Sequence, residues 1–228
     1  VSQKTLWEDY RKVNPDGLCR SQFNVYFKRW KAQTKPVMHI EHKAGDKMYI
    51  DFAGKKLHIT DEQTGEVKEV EVFAAILGCS QLTYIQAVES QKKEQLILCC
   101  ENALHYYGGV PKAIVPDNLK SAVIKSSKYE PVINESFAAF AEHYGVAVIP
   151  ARAYRPKDKS LVEGAVKISY SRIYAEIEKH VFHSLSELNK AIAIQLDKHN
   201  NMLLSRRNYS RRQLFEEVER EALNPLPS

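Results

Sequence analysis

A chain of 228 residues with a net charge of +5 and an apolar share of 44 % is long enough for one substantial domain with appendages. The longest apolar run, Val72 to Cys79, suffices only for a core strand, so no membrane partner is expected. The chain starts Val-Ser-Gln-Lys, with no hydrophobic leader and no initiator Met, as a piece of a longer protein would. Its cysteines, Cys19, Cys79, Cys99 and Cys100, form no C-x-x-C pair. That speaks against a disulfide framework or zinc knuckle and for a reducing cytoplasm. Residues 1–45 hold nine Lys and Arg against four Asp and Glu, the whole positive surplus. Such clustering fits a polyanion partner, and a solvated surface explains it as well.

Residues 2–14 read as a helix, with Ser2 or Thr5 as cap and Leu6, Tyr10 and Val13 at helical spacing. Asn14-Pro15-Asp16-Gly17 is a turn, after which Ser21 is expected to cap a second helix to about Gln33. Phe23, Phe27 and Trp30 share one face of it; Arg20, Lys28, Arg29 and Lys31 lie on the other. This is the outline of a helix-turn-helix, which makes those four basic residues candidate DNA contacts. Two amphipathic helices packed on each other have the same outline. Residues 35–45, with Pro36, read as a linker. His39 and His42 have metal-like spacing there, without a Cys pair to complete a zinc site.

Strands are expected over 46–53, 55–60, 67–79 and 82–88, linked shortly enough for an antiparallel meander. A helix over 92–107 is stopped by Gly108-Gly109. A short buried strand, 113–115, then arrives at Pro116-Asp117-Asn118, and residues 118–132 are polar without a strong period. Asn134 caps a helix through Tyr144, and 146–149 is a fifth core strand. A basic loop, 152–159, opens a long helix to about Lys179. Ser184 or Ser186 starts another to about His199, and a last helix over 210–222 precedes a Pro-rich end. The order predicts an α/β fold: an RNase H-like mixed five-stranded sheet with flanking helices, preceded by a small helical helix-turn-helix segment. The expected divisions are 1–34 for the helix-turn-helix, 35–45 for a linker, 46–180 for the RNase H-like core and 181–228 for a C-terminal helical extension and linker.

Three acidic residues occupy special places. Asp51 interrupts the apolar run Lys47-Met48-Tyr49-Ile50-Asp51-Phe52-Ala53-Gly54, where a carboxylate is costly unless paired or bound to a metal. Asp117 ends the short fourth strand, and Glu163 lies one turn into the long helix. If strands one and four are neighbours and the helix crosses their edge, the three side chains can converge. Clustered carboxylates repel one another, and divalent cations remove that penalty. Mg²⁺ takes hard oxygen ligands and keeps positions for phosphate and water. Two such ions about 4 Å apart serve an in-line phosphoryl displacement without a protein nucleophile. No Ser-His or Cys-His arrangement is recognisable.

In order, Tyr49-Ile50-Asp51-Phe52-Ala53-Gly54, Val115-Pro116-Asp117-Asn118-Leu119-Lys120, Ile133-Asn134-Glu135-Ser136-Phe137 and Arg155-Pro156-Lys157-Asp158-Lys159 through Glu163 resemble the DDE integrase core of bacterial insertion-sequence transposases. The likeness is to the IstA-type transposases and spans about 5–225. It implies a catalytic core of the retroviral-integrase superfamily, with Asp51, Asp117 and Glu163 as catalytic ligands of two Mg²⁺ ions, for which Mn²⁺ can substitute. It implies hydrolysis at a transposon 3′ end, then attack of the freed 3′-OH on target DNA. The implied partners are transposon-end and target DNA, a homo-oligomer on paired ends and an AAA+ ATPase helper, in the bacterial cytoplasm and on the nucleoid when DNA-bound. Residues 5–33 resemble the family's second DNA-binding segment, and the Pro-rich end resembles the lead into its C-terminal β-barrel, so the chain reads as truncated at both ends.

The 45 residues between Asp117 and Glu163 exceed the spacing usual in retroviral integrases. The surplus falls in 119–135, as an added loop or hairpin. Asp158 is the rival to Glu163, and is better read as an N-cap or ion-pair partner. Lys159, Glu163 and Lys167 share one helix face at i, i+4, i+8, so the lysines are candidate contacts to DNA phosphates, or members of ordinary ion pairs. Arg152, Arg155 and Lys157 could also reach backbone. Arg206, Arg207, Arg211 and Arg212 form a second cluster, for DNA or for solvent. Asn118 could orient Asp117 or serve the turn. Tyr49, Tyr84, Tyr106 and Tyr107 read as core; His105, His143, His180, His183 and His199 receive no ligand role. Two other readings stay open: a plain RNase H-like metal-dependent nuclease, and a non-catalytic DNA-binding or assembly module.

Overall fold

The structure, a computed structural model, describes residues 2–34, 42–116, 121–125, 132–150, 156–205 and 207–227, without the side chains at 32–34, 123–125, 156–163, 165, 166 and 169. The chain divides into two units, Val1–Ile40 and Glu41–Ser228.

In the first unit, α1 (Gln3–Val13) begins at Ser2, whose Oγ accepts the Thr5 N–H at 3.1 Å. The second helix, α2 (Arg20–Thr34), starts before Ser21 rather than being capped by it, because the Phe23 N–H already bonds the Cys19 carbonyl at 2.9 Å. Tyr10, Phe23, Phe27 and Trp30 form a chain of rings with centroids 5.2–5.9 Å apart. The turn between the helices is held by α1: Trp7 Nε1 donates to the Leu18 carbonyl, Arg11 to the Gly17 carbonyl, and the Tyr10 hydroxyl accepts the Leu18 N–H. A Cβ on Gly17 would fall 2.4 Å from that hydroxyl, so the turn needs glycine.

The second unit is built on a mixed sheet. Its strands are β1 (Lys47–Phe52), β2 (Leu57–Thr60), β3 (Val67–Leu77), β4 (Thr83–Val88), β5 (Ala113–Pro116) and β8 (Ala147–Val148). β3 pairs antiparallel with β1, β2 and β4; β1 pairs parallel with β5, and β5 with β8. β1 and β2 follow one another along the same edge of β3, with a register slip of two residues between Phe52↔Phe73 and Leu57↔Val70. The six strands therefore fill five positions across the sheet. Between β5 and β8, the surplus segment contains a separate hairpin, β6 (Val123–Lys125) with β7 (Val132–Ile133).

Alternation along the strands sends side chains to two cores. Met48, Ile50, Phe52, Phe73, Ala75, Leu77 and Ile114 pack with α3 (Lys93–Tyr107) and α4 (Glu135–His143) on one face. Tyr49, Ala53, Val72, Ala74, Ile76 and Val115 pack with α5 (Pro156–Ile177) and α6 (Leu185–Asn201) on the other. The helix signals act as expected. Gly108 at φ +69° ends α3, Asn134 caps α4 through the Ser136 N–H at 3.0 Å, and Ser184 caps α6 through the Glu187 N–H at 3.1 Å. Among the described residues no helix is long and apolar enough to cross a membrane.

Two devices close the unit. The outer edge of β4 is covered by α6, where Asn189 makes paired bonds to the Ala87 N–H and carbonyl (2.7 and 2.9 Å) and Asn200 to those of Thr83 (3.2 and 2.8 Å). An edge strand so covered offers no template for another chain. The terminal segment, α7 (Arg211–Leu214) continued by a π turn (Phe215–Glu219) and a 3₁₀ turn (Arg220–Ala222), seals the end of the sheet opposite Asp51. Its fully buried Glu219 accepts N–H groups from Gly45 (3.3 Å), Cys79 (3.3 Å) and Ser80 (2.8 Å).

Glu219→Ala leaves three inward N–H groups without an acceptor; a loss of about 3–5 kcal/mol in urea denaturation is expected. His199 on α6 is buried, and its pKa is depressed to about 3 by desolvation first and by Arg211 and Arg172 next. Its contribution to stability is present above the unfolded pKa near 6.5 and is lost as pH falls towards 3, because only the unfolded chain takes up the proton in that window. Unfolding midpoints between pH 7 and 4 should therefore fall more steeply in the wild type than in His199→Gln.

Candidate active site

On β1, Asp51 lies between Tyr49 and Ala53 in the alternation, on the sheet face covered by α5 and α6. It is half-buried, and its Oδ1 accepts the Phe52 N–H at 2.8 Å. The residue before it, Ile50, stands opposite Pro116 in the parallel ladder with β5. Pro116 has no N–H to continue that ladder, and the next residue in sequence is Asp117. Asp117 itself, with Asn118, lies outside the described residues. The expected neighbouring of strands one and four is thus what is found.

The helix α5 is tied to the chain just beyond Asp51. The Tyr174 hydroxyl donates to the Lys55 carbonyl at 2.8 Å, and the Lys55 ammonium pairs with Glu178 while standing 5.9 Å from the Tyr174 ring centroid. One turn earlier, Tyr170 packs edge-on against Tyr174 with centroids 5.1 Å apart. Its hydroxyl is buried without a hydrogen-bond partner. Burial first, then Tyr174 and the charge of Asp51, push its pKa far above the usual phenol range, so it stays neutral. Tyr170 was not foreseen from the sequence. The available signal was its place seven residues after Glu163, two helical turns on the same face.

Glu163 lies on α5, and its side chain is outside the description. Asp158 is the third residue of α5 and hence is no N-cap: the helix begins at Pro156, a residue suited to a first helical position because its missing N–H would be unpaired there anyway. Lys157 and Lys159 occupy the first turns of α5, with their side chains outside the description. Lys167 is exposed. Arg152, Arg155, Arg206 and His39 lie outside the described residues. Arg207 is exposed, 6.0 Å from the Tyr209 ring centroid. On α2, Arg20, Lys28, Arg29 and Lys31 are all exposed.

The surface-cluster reading fails for two arginines. Arg212 donates to the Tyr106 hydroxyl at 2.7 Å and lies over that ring, while Arg211 is buried. The two arginine pairs, 206–207 and 211–212, look alike in sequence, but the turn of α7 sends the second pair inward.

Among the described residues no three His, Cys, Asp or Glu side chains are grouped to hold a metal. Asp51 is the described member of the predicted set, and it fits a hard cation. It is an oxygen donor in an otherwise apolar wall, beside a buried hydroxyl that has no protein partner.

The family model described as "integrase core domain" matches residues 41–156, and the chain belongs to that family. Over its whole length it is 42 % identical to a Sinorhizobium fredii protein named as a candidate transposase, and 36 % identical to one named for insertion sequence IS408 of Burkholderia multivorans. Over 86 % of its length it is 26 % identical to the transposase of insertion sequence IS21 of Pseudomonas aeruginosa. The chain spans 44 % of each of the first two relatives and 46 % of the third. In fold it is similar to the catalytic core of BIV integrase (TM-score 0.55, 13 % identity, covering 76 % of this chain and 95 % of that one). It is similar as well to the HTLV-2 integrase catalytic core solved with magnesium (TM-score 0.55, 14 % identity, 77 % and 99 % covered). The mixed sheet with flanking helices is thus the RNase H-like fold of integrase cores.

Tyr170→Phe removes a hydroxyl that has no protein partner and keeps the ring against Tyr174. Stability in urea denaturation should be unchanged or higher by up to about 1 kcal/mol.

Proposed function

We propose that this chain carries the catalytic core of an insertion-sequence transposase, which cuts a phosphodiester at the element's 3′ end and joins the freed end to target DNA. The observation that carries the reading is the parallel register of β1 on β5. Ile50 stands opposite Pro116, and Asp51 and Asp117 are the residues that follow these two in sequence. Tyr174 ties α5 to the chain just beyond Asp51, Tyr170 packs on the same sheet face, and Glu163 precedes Tyr170 by about 10 Å of helix.

Asp51, Asp117 and Glu163 would hold two Mg²⁺ ions, or Mn²⁺ in their place, a choice supported by the hard oxygen donors and by the magnesium in the HTLV-2 integrase core. Bound there, the cations supply activation of the attacking oxygen and stabilisation of the leaving one. The chain's own residues do the rest. The Phe52 N–H fixes the Asp51 carboxylate, and the apolar wall of Tyr49, Ala53 and Val115 limits water beneath it. Lys159 and Lys167, one turn to either side of Glu163, grip backbone phosphates, with Arg152, Arg155 and Lys157 entering before them. Residues 1–34 serve as a helix-turn-helix gripping duplex DNA through Arg20, Lys28, Arg29 and Lys31; residues 35–45 act as linker, 46–180 as catalytic core and 181–228 as helical extension, with Arg206 and Arg207 as outer contacts. The reading includes a cytoplasmic homo-oligomer on paired DNA ends, supported by the similarity in fold to an integrase solved in a simian T-cell lymphotropic virus intasome, and an AAA+ ATPase helper, which only the motif resemblance implies.

In the intact protein, Asp51→Asn, Asp117→Asn and Glu163→Gln should each lower strand transfer about a thousandfold or more, the worth of several kcal/mol of charge stabilisation. Each should also weaken Mn²⁺ binding in calorimetric titration. Full activity in any one variant removes that residue from the site. With a pre-cut end and a target plasmid, cleavage without joined product would favour the nuclease instead.

A further inference from the structure

The segment after Asp51 is held at two levels by the far half of α5 and the connector behind it. At the first, the Tyr174 hydroxyl donates to the Lys55 carbonyl at 2.8 Å, and Tyr174 itself is buried in the core that includes Ala53, Leu57 and Val72. At the second, the Thr60 N–H donates to the Phe182 carbonyl at 2.8 Å and the His183 ring donates to the Thr60 carbonyl at 3.0 Å. Tyr174 precedes Phe182 as Lys55 precedes Thr60, so α5 runs along this segment in the same sense, and going back along the helix leads back towards Asp51. The lengths agree. Glu163 precedes Tyr174 by eleven residues, which is about 16 Å of helix and within about 20° of the same face. Asp51 precedes Lys55 by four residues, which is up to about 13 Å of chain. The mismatch is less than one helical turn.

We propose that Tyr174 is a positioning residue: its bond to the Lys55 carbonyl sets the level of α5 along β1, and with it the separation of Glu163 from Asp51 in the metal site. The inference rests on the reading of those two carboxylates as metal ligands. Apolar packing of the α5 face on the sheet is non-directional and does not by itself choose one level. A hydrogen bond to a backbone carbonyl has a defined length and direction, and it is made here to the chain that carries Asp51. The Lys55–Glu178 ion pair beside it adds little, because both side chains stand largely in solvent. Outer groups that orient metal ligands typically cost about ten- to a hundredfold in metal affinity or activity when they are removed.

The test is calorimetric titration of the intact protein with Mn²⁺, alongside thermal unfolding. Tyr174→Phe keeps the buried ring, loses only the hydroxyl, and should bind Mn²⁺ about tenfold more weakly than the wild type. Two controls separate this from general loosening. Ile192→Val removes one methyl group from the same core and should lower Tm by a similar amount, with Mn²⁺ affinity within about twofold of wild type. Lys55→Met removes the ion pair, keeps the carbonyl, and should also stay within about twofold. Wild-type affinity in Tyr174→Phe would overturn the proposal, as would an equal loss in Tyr174→Phe and in either control. Asp51→Asn in the same titration keeps the two readings apart. If it binds Mn²⁺ like the wild type, the carboxylate site itself is wrong and the proposal goes with it. If it is weakened while Tyr174→Phe is not, the site stands and only the positioning role falls.

Discussion

Everything at the candidate site depends on one ladder, the parallel pairing of β1 with β5. β1 is central, with β3 antiparallel on one side and β5 parallel on the other, and both of its faces are covered by helices. A strand so placed must be apolar almost throughout, and Met48 to Phe52 obey that rule except at Asp51. The exception sits near the strand's end, level with the point where Pro116 withdraws a donor from β5. A polar group can be held there without breaking the core, because the sheet is ending and the Phe52 N–H faces the carboxylate.

The same core needs parts that are distant in sequence. Leu188, Ile192 and Leu196 of α6 complete one hydrophobic layer, and Phe215 of the π turn completes the other. Close approach at the sealed end is possible only because of glycines. A Cβ on Gly45, at φ +66°, would fall 2.2 Å from the Ala222 carbonyl oxygen, and one on Gly109 would fall 2.7 Å from Leu223 Cβ. Residues up to Asn224, which exchanges backbone hydrogen bonds with Val110, therefore belong to the second unit's architecture rather than trailing from it. The unit is closed at the end opposite Asp51 and along the β4 edge.

The helices were legible where a side chain or glycine acts on its own neighbours. Ser2, Asn134, Ser184 and Gly108 behave as caps whatever the rest of the fold does, since their partners are within a few residues. Ser21 misled because a serine before an apolar run is a cap only if the backbone has not already turned, and the Cys19 carbonyl had begun the helix. The arginines at 211 and 212 misled for a different reason. Their burial is set by α6, by Tyr106 and by the path of the terminal segment, none of which a charge pattern reveals.

Alternation, caps and breakers belong to the chain alone, because they act over two to four residues. From them came the order of strands and helices, the odd place of Asp51, and the ordered motifs that mark an integrase core. What required the tertiary structure was everything set by contacts between distant residues: the level at which β1 meets β5, the tie of α5 to Lys55, the buried hydroxyl of Tyr170, and the burial of Arg211 at the start of α7. Local sequence cannot report these, because register and burial are decided by which surfaces must leave water together.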